Sequence, residues 1–416
     1  MTLYSQHIAR VQTLVQEQEE WRRRCINLIA SEQIMSRRAR GVMGSDFCHR
    51  YAEGHPGERY YQGTAKIDAI ESDVKRYLKT LFGCLHTEVR PISGTNANEA
   101  IFSRYVRPGD IVMVNSTSAG GHISHQRAGS VGKFTRNILF FPKTKDGYHI
   151  DVPRARRLIR AVKPKVVVFG KSLFLFPDPV EELYEPCGKV GARIVYDGAH
   201  VLGLIAGGQF QNPLIEGAHV LSGSTHKTFP GPQRGVILSN LAWEEWRKID
   251  KGAFPGSSSN HHLDTLAPLL ITTFEMLAHA KEYATQIVRN AKALAEALDK
   301  RGFAVQAREF GYTESHQVAV DVSAYGGGSA VSSLLNENHI ILNMNLLPFE
   351  PLSHHDNPAG VRIGAQEMTR LGMKEPEMER IAALMWECVA EGKPVADEVA
   401  RFRDAFQTVH YSFDEA

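Results

Sequence analysis

Between residues 91 and 239 the chain repeats one pattern: a short apolar run, then a polar stretch with the look of a helix or turn. The runs are IVMVN (111–115), NILFF (137–141), KVVVFG (165–170), RIVYD (193–197), HVLSG (219–223) and GVILS (235–239). Runs this short and this rich in Val and Ile read as strands buried in a mostly parallel sheet. PVEELYEPCGKVGA, between the third and fourth runs, supplies a crossover helix. The alternation predicts an α/β fold: an open sheet with helices on both faces and ligands at the strand ends.

On either side of this region the pattern changes. Residues 3–24 carry apolar positions at helical spacing (Ile8, Val11, Leu14, Val15) and then the run EQEEWRRR, which predicts an exposed amphipathic arm. Residues 269–301 predict one long helix stopping at Lys300-Arg301-Gly302. After it come FAVQA (303–307), HQVAVDV (316–322), HIILN (339–343), GVRIG (360–364) and a helix near 375–390, a smaller α+β unit. The expected division is an N-terminal arm over 1–50, a large unit over 51–280 and a small C-terminal unit over 281–416.

Composition narrows the class. The 416 residues suffice for two units with a large core, and 43% hydrophobic with 23% charged residues is ordinary globular usage. Lys+Arg 48 against Asp+Glu 46 leaves a net charge of +2, so nothing calls for a nucleic acid or an anionic membrane. Five scattered cysteines without a Cys-x-x-Cys pair fit reduced thiols, and no run reaches the roughly 18 apolar residues of a membrane helix. The expectation is a soluble, cytoplasmic protein.

The chemistry gathers around LSGSTHKTFPGPQRG (221–235). Small hydroxyl residues and a histidine beside one lysine suit a Lys227 that must shed its proton near neutral pH to form a Schiff base. Thr225 and His226 are candidates to hold a cofactor phosphate or to tune that lysine. Asp197 ends the strand RIVYD, one strand before Lys227; it is either a cap for the next helix or the partner of a positive group such as the protonated nitrogen of pyridoxal phosphate. Ser-Gly-Thr-Asn at 93–96 opens a helix through Tyr105, where Gly94 and Thr95 would offer backbone N–H groups to a phosphate, or Ser93 would simply cap. Gly120-Gly121-His122 follows the strand 111–115 and would let an imidazole lie flat on an aromatic ring. The stretch YAEGHPGERYYQGT (51–64), rich in Gly, Tyr and charge, is too irregular for a strand or a helix and reads as part of a site.

Seven segments in order resemble the serine hydroxymethyltransferase family of fold-type I, aminotransferase-like pyridoxal-phosphate enzymes. They are NLIASE (27–32), YAEGHPGERYYQGT (51–64), SGTNAN (93–98), AGGHISH (119–125), YDGAHVLGL (196–204), STHKTFPGP (224–232) and VRIG (361–364). The resemblance implies that Lys227 forms the Schiff base, Asp197 binds the pyridine nitrogen, His122 stacks on the ring, and Gly94 and Thr95 hold the phosphate. It implies that Ser172 and His200 lie near the cofactor oxygen or substrate, and that Ser31 and Arg362 clamp the amino-acid carboxylate. Glu53 becomes the proton-transfer carboxyl group at the β-oxygen. Tyr51 and Tyr61 become active-site tyrosines reaching the neighbouring subunit of a homodimer, with tetramers left open. Retro-aldol cleavage needs a Schiff-base lysine, an electron sink, a carboxylate clamp and a base; Lys227, Asp197, Arg362 and Glu53 fill these positions. A base working near neutral pH implies a partly desolvated Glu53.

The chain departs from the family pattern at PGSSSNHHLDT (255–265), at GKSLFLFPDP (170–179), and at GPQRG (231–235), where the arginine sits one place late. These features look like the divergent, archaeal-type branch close to threonine transaldolases. Asn343 and Asn345 resemble the family's folate-side asparagine segment, so Asn260, His261 and Asn345 are the candidate contacts to tetrahydrofolate or another tetrahydropterin. Adjacent histidines at 261–262 and 354–355 lack ligand spacing, and no metal is expected. The expected activity is hydroxymethyl transfer between serine and glycine. Its alternatives are a threonine aldolase or transaldolase working without folate, and a non-catalytic cofactor-binding protein.

Overall fold

The computed structural model describes residues 3–414; the first two positions of the expected arm and the last two of the small unit lie outside it. Seven strands form the main sheet: β1 (His86–Glu88), β2 (Val112–Val114), β3 (Ile138–Phe140), β4 (Val166–Phe169), β5 (Arg193–Asp197), β6 (Val220–His226) and β7 (Pro230–Ser239). Their spatial order is β1-β7-β6-β5-β4-β2-β3. Pairs from β6 through β3 are parallel, and β7 alone runs against both of its neighbours. The mostly parallel sheet is as the apolar runs predicted. β1 was not legible, because its three residues His-Thr-Glu carry no apolar run.

The central strands of the sheet are buried on both sides, which is why β2, β4 and β5 read as unbroken apolar runs. Side chains alternate between faces: Val167, Phe169, Ile194 and Tyr196 enter one apolar core, while Val166, Val168 and Val195 enter another. Four helices matter for the site: α1 (Leu3–Arg24), α2 (Ala65–Phe82), α3 (Gly94–Tyr105) and α4 (Leu266–Lys300). α3 packs on the second face through Ala97, Ala100 and Ile101. As expected, α1 turns Ile8, Val11, Leu14 and Val15 outward.

The smaller sheet is antiparallel, with β8 (Ala304–Val305), β9 (Gln317–Asp321), β10 (Asn343–Asn345) and β11 (Gly360–Gly364) in the order β8-β9-β11-β10. α4, 35 residues and about 52 Å long, joins the two bodies. Its residues from Leu266 to Ile287 belong to the large core and those from Ala291 to Leu298 to the small one. The expected boundary near 280 therefore lies within one continuous helix, and the change of core falls between Ile287 and Ala291. Ile26 and Leu28 also enter the small core, where Ile26–Asn27 pairs with Ile340–Ile341. No helix among the described residues is long and apolar enough to cross a membrane.

Leu294 is fully buried where α4 meets the small core. Leu294→Ala is expected to destabilise the fold by about 2–5 kcal/mol. Lowered urea and thermal midpoints would register this, with a smaller drop for Val288→Ala, which is only partly buried.

Candidate active site

β5 ends beside its parallel neighbour β6 at the register pair Asp197↔Ser222. β6 runs on to His226, so Lys227 sits at the tip of the β6–β7 hairpin. Thr228 fixes that tip: its hydroxyl donates to the His200 carbonyl at 2.8 Å and accepts from Gly203 N at 3.0 Å. A cavity of about 150 Å³ opens between these strand ends and the start of α3, lined by Gly94, Thr95, His122, Asp197, His200 and Lys227 among others.

Lys227 is 9% exposed. Burial lowers its amine from 10.5 to about 8; the Asp197 carboxylate opposes this shift and the Arg362 charge adds to it. Asp197 stays ionised despite burial because its lone pairs are occupied. Oδ2 accepts from Asn98 Nδ2 at 2.7 Å and His125 Nε2 at 2.9 Å, and Oδ1 accepts from Ala199 N at 3.0 Å. Burial works against the ionised form, and the hydrogen bond from His125 does most to hold the carboxyl below its usual range. With three of about four acceptor positions used, Oδ1 has room for one more donor, which suits a protonated pyridine nitrogen.

The other side of the cavity suits a phosphate. Ser93 Oγ accepts from Asn96 N at 3.1 Å, while the amides of Gly94 and Thr95 occupy the first turn of α3, where the helix supplies no acceptor. A Cβ on Gly94 would come within 2.3 Å of Ser224 Oγ, so with a larger residue there the Ser224 hydroxyl would have to swing aside from the helix start. His226 Nδ1 is buried without a partner, and burial, then the Lys227 charge, lowers its imidazole to about 4. The residues present therefore fit pyridoxal phosphate at both ends.

His122 is carried by a turn that Gly120 makes possible, with φ at +86° and the Leu173 carbonyl only 2.3 Å from any added Cβ. Its Nδ1 accepts from Ser124 N at 3.1 Å, and burial lowers the ring to about 4, so it is a neutral ring available for stacking. Arg362 on β11 donates from Nη1 to Ser172 O at 2.7 Å and Ser172 Oγ at 3.1 Å, and from Nε and Nη2 to Asn343 Oδ1 at 3.3 and 3.2 Å. Its partners are neutral oxygens, and burial lowers the guanidinium to about 10, which leaves a buried cation suited to a carboxylate. Ser31 follows Ala30, whose carbonyl accepts from His316 Nε2 at 3.1 Å, and the 28–32 segment packs on the end of β11.

Several predicted residues lie elsewhere. Thr225 faces away from the cavity: β6 continues past it, so alternation sends Ser224 and His226 inward, and the Thr225 hydroxyl donates to Pro232 O at 2.6 Å. It is no phosphate ligand. His261 is fully buried between Arg234 and Glu71, 3.3 Å from the Glu71 carboxylate, and is not open to a pterin. Asn260 is committed at both ends of its amide, accepting from Ala52 N at 3.1 Å and donating to Arg50 O at 2.9 Å, so it holds the 50–54 loop and is not free as an acceptor contact. Asn345 remains half-buried, its amide turned to Leu346 O at 2.6 Å.

Tyr51, Glu53 and Tyr61 form a separate cluster. The tyrosine rings are 5.3 Å apart and 53% and 42% exposed, beside a different cavity of about 340 Å³. Glu53 is half-buried, and its charge is the first cause raising the Tyr61 phenol above its ordinary value. The carbonyls flanking Glu53 are pinned by Arg59, which donates to Ala52 O at 2.6 Å and Gly54 O at 2.9 Å. Within one chain this cluster does not line the Lys227 cavity.

Asn98, His125, Ser224 and Gln317 are site residues that the motifs did not single out. Asn98 sits one turn inside α3 from Gly94, and that i, i+4 spacing was the available signal for its facing Asp197.

The serine hydroxymethyltransferase family profile matches residues 5–385. Serine hydroxymethyltransferases of Thermococcus kodakarensis and Methanosphaera stadtmanae are 49% and 47% identical to this chain, covering 99% and 98% of it and 97% and 96% of their own lengths. The crystal structure of an L-threonine transaldolase from Pseudomonas fluorescens, solved in its internal aldimine state, superposes with a TM-score of 0.90 at 27% identity, over 99% of this chain and 94% of that one. A cavity built on Lys227 and Asp197, with a matching profile and near-full-length relatives, places this chain in the serine hydroxymethyltransferase family.

Proposed function

We propose that this chain interconverts serine and glycine with pyridoxal phosphate, passing the one-carbon unit to or from a tetrahydropterin such as tetrahydrofolate. The observation that carries this reading is that Lys227 and Asp197, both buried, line one cavity, the amine lowered to about 8 and the carboxyl held below its usual range. Pyridoxal phosphate supplies an electron sink for the bond broken between the α- and β-carbons of a bound amino acid. Asp197 holds the proton on the pyridine nitrogen, and His122 covers the ring face. Gly94 and Thr95, with Ser224 and His226, hold the phosphate. Arg362, assisted by Ser31 and Ser172, takes the substrate carboxylate in its fork. Glu53 moves the proton at the β-oxygen, and Tyr61, kept a phenol by that carboxylate, donates a hydrogen bond beside it.

Tyr51, Glu53 and Tyr61 act in the cavity of a second copy, so the active form is a homodimer with shared sites. Their exposure and their separation from Lys227 within one chain support this reading. Asn343 and Asn345 are the acceptor-side contacts. Five free cysteines, four of them buried, fit a cytoplasmic setting. A second reading, glycine transfer from threonine to another aldehyde, draws on the likeness to the threonine transaldolase.

Purified enzyme is expected to convert serine to glycine only when tetrahydrofolate or another tetrahydropterin is supplied. Acetaldehyde release from threonine, with no serine turnover on any pterin, would reverse the order of the two readings. Lys227→Ala is expected to abolish turnover and the visible absorption of the bound cofactor. Arg362→Ala is expected to raise KM for serine about 100-fold, because a charge-assisted fork is lost.

A mixture of Lys227→Ala and Glu53→Gln chains, each inactive alone, is expected to regain about a quarter of wild-type activity once subunits exchange. No recovery, with exchange verified by mass, would argue against the shared site. The depressed amine adds a pH signature. Only the neutral form of Lys227 attacks a carbonyl, so cofactor uptake by stripped enzyme should rise about tenfold per pH unit below about 8 and level off above it. A plateau reached only near 10.5 would mean that Lys227 is not desolvated.

A further inference from the structure

His200 lines the cavity, and its ring is clasped on the far side by Gln317, the first residue of β9. A side-chain amide or an imidazole can be oriented in two ways, and the neighbours here decide between them. Phe174 N, a backbone donor, lies 2.7 Å from Gln317 Oε1, so that atom is the amide oxygen. Ser172 O, a backbone acceptor, receives from Gln317 Nε2 at 3.0 Å. The second hydrogen on Nε2 is directed to His200 Nδ1 at 2.9 Å. An amide nitrogen can only donate, so Nδ1 must be bare, and the single proton of a neutral imidazole is on Nε2.

Two further observations fit. His200 is kept neutral: burial first, then the charges of Lys227, Arg362, His316 and His122, hold it well below its ordinary value. His316 lies against it, rings 5.8 Å apart and 18° from parallel. Because His316 donates from Nε2 to Ala30 O at 3.1 Å, its own Nδ1 carries no proton, and that atom is buried without a partner. It braces the His200 ring by stacking, and its Nε2, which lies 3.3 Å from Gln317 Nε2, already carries the proton given to Ala30 O and cannot accept the Gln317 hydrogen in place of His200 Nδ1.

We propose that Gln317 is a positioning residue that locks His200 with its proton on Nε2, so that His200 meets the cavity's occupant as a hydrogen-bond donor. The class of atom it suits is an anionic oxygen, the ring oxygen of the cofactor or a carboxylate oxygen of the amino acid. The same Gln317 amide holds Ser172 O, which Arg362 also uses, so one side chain aligns a donor and the carboxylate clamp. The kinetic consequence rests on the cofactor placement proposed above; the tautomer does not.

The test is the protonation of the His200 ring in holoenzyme labelled with ¹⁵N-histidine, its signals assigned by their loss in His200→Asn. Wild type is expected to show a bare Nδ1 and a protonated Nε2. Gln317→Glu replaces the donor with an acceptor, so Nδ1 should gain a proton, and His200 should titrate nearer neutrality, adding an ionisation to the pH profile of kcat/KM. Gln317→Met removes the donor without adding charge; it should give mixed tautomers and no new ionisation. Both variants should raise KM for serine about tenfold. A protonated Nδ1 in wild type overturns the proposal, as does an unchanged His200 spectrum in Gln317→Glu. Should Gln317→Glu fail to fold, a single Nε2-protonated species in Gln317→Met does so as well. None of these outcomes bears on serine turnover by wild type, so the function proposed above stands or falls separately.

Discussion

The site is organised by the requirement that one carboxylate stay charged out of water. Burying Asp197 ionised costs on the order of several kcal/mol unless its oxygens are met by donors. Asn98 is brought to it by the start of α3, His125 by the turn after β2, and Ala199 N by the chain just past β5. Those three segments are also the ones that wall the cavity. Satisfying Asp197 therefore puts the helix start, the His122 ring and the strand end in their places together. Lys227 joins this arrangement from the next strand, and the same desolvation that burdens the carboxylate frees the amine.

A second buried set of charges supports the loop that carries Tyr51, Glu53 and Tyr61. Glu71 on α2 is ion-paired to Arg59 at 2.6 Å and Lys75 at 2.7 Å and lies against His261. Arg234 reaches from β7 to Val89 O at 2.6 Å and His262 O at 2.9 Å, and to the His261 ring. Two departures from the family pattern, the arginine placed one position late and the rewritten 255–265 segment, are thus halves of one contact. The displaced arginine grips the rewritten segment, and Asn260 within that segment grips the 50–54 loop. Such changes reach the Tyr51–Glu53–Tyr61 cluster through the loop they hold.

Much of this was legible from residues close in sequence. Asp197 and Lys227 could be paired because RIVYD and HVLSG read as consecutive parallel strands, whose ends must meet on one side. Thr225 was misjudged because β6 outlasts its apolar part: Ser224, Thr225 and His226 are polar, so the run appeared to stop at Gly223 when the strand continued, and alternation then chose Ser224 and His226. His261 and Asn260 were misjudged because their partners lie far away, at Glu71, Arg234, Arg50 and Ala52. Gln317 was invisible for the same reason: nothing in HQVAVDV indicates that the glutamine reaches across to Phe174, Ser172 and His200. The change of core along α4 was also hidden, since a helix that passes between two apolar bodies keeps the same periodicity throughout.

Arg362 belongs to the small sheet, yet its Nη1 rests on Ser172, in the loop that follows β4 of the large one. The seat proposed for an amino-acid carboxylate is therefore assembled across a seam, crossed by Arg362 Nη1 bonds of 2.7 and 3.1 Å to Ser172 and spanned by α4. Any drift between the two bodies would be felt at that seat well before either core loosened. On the proposed placement, affinity for the amino acid becomes a gauge of how squarely the two halves of the molecule are set.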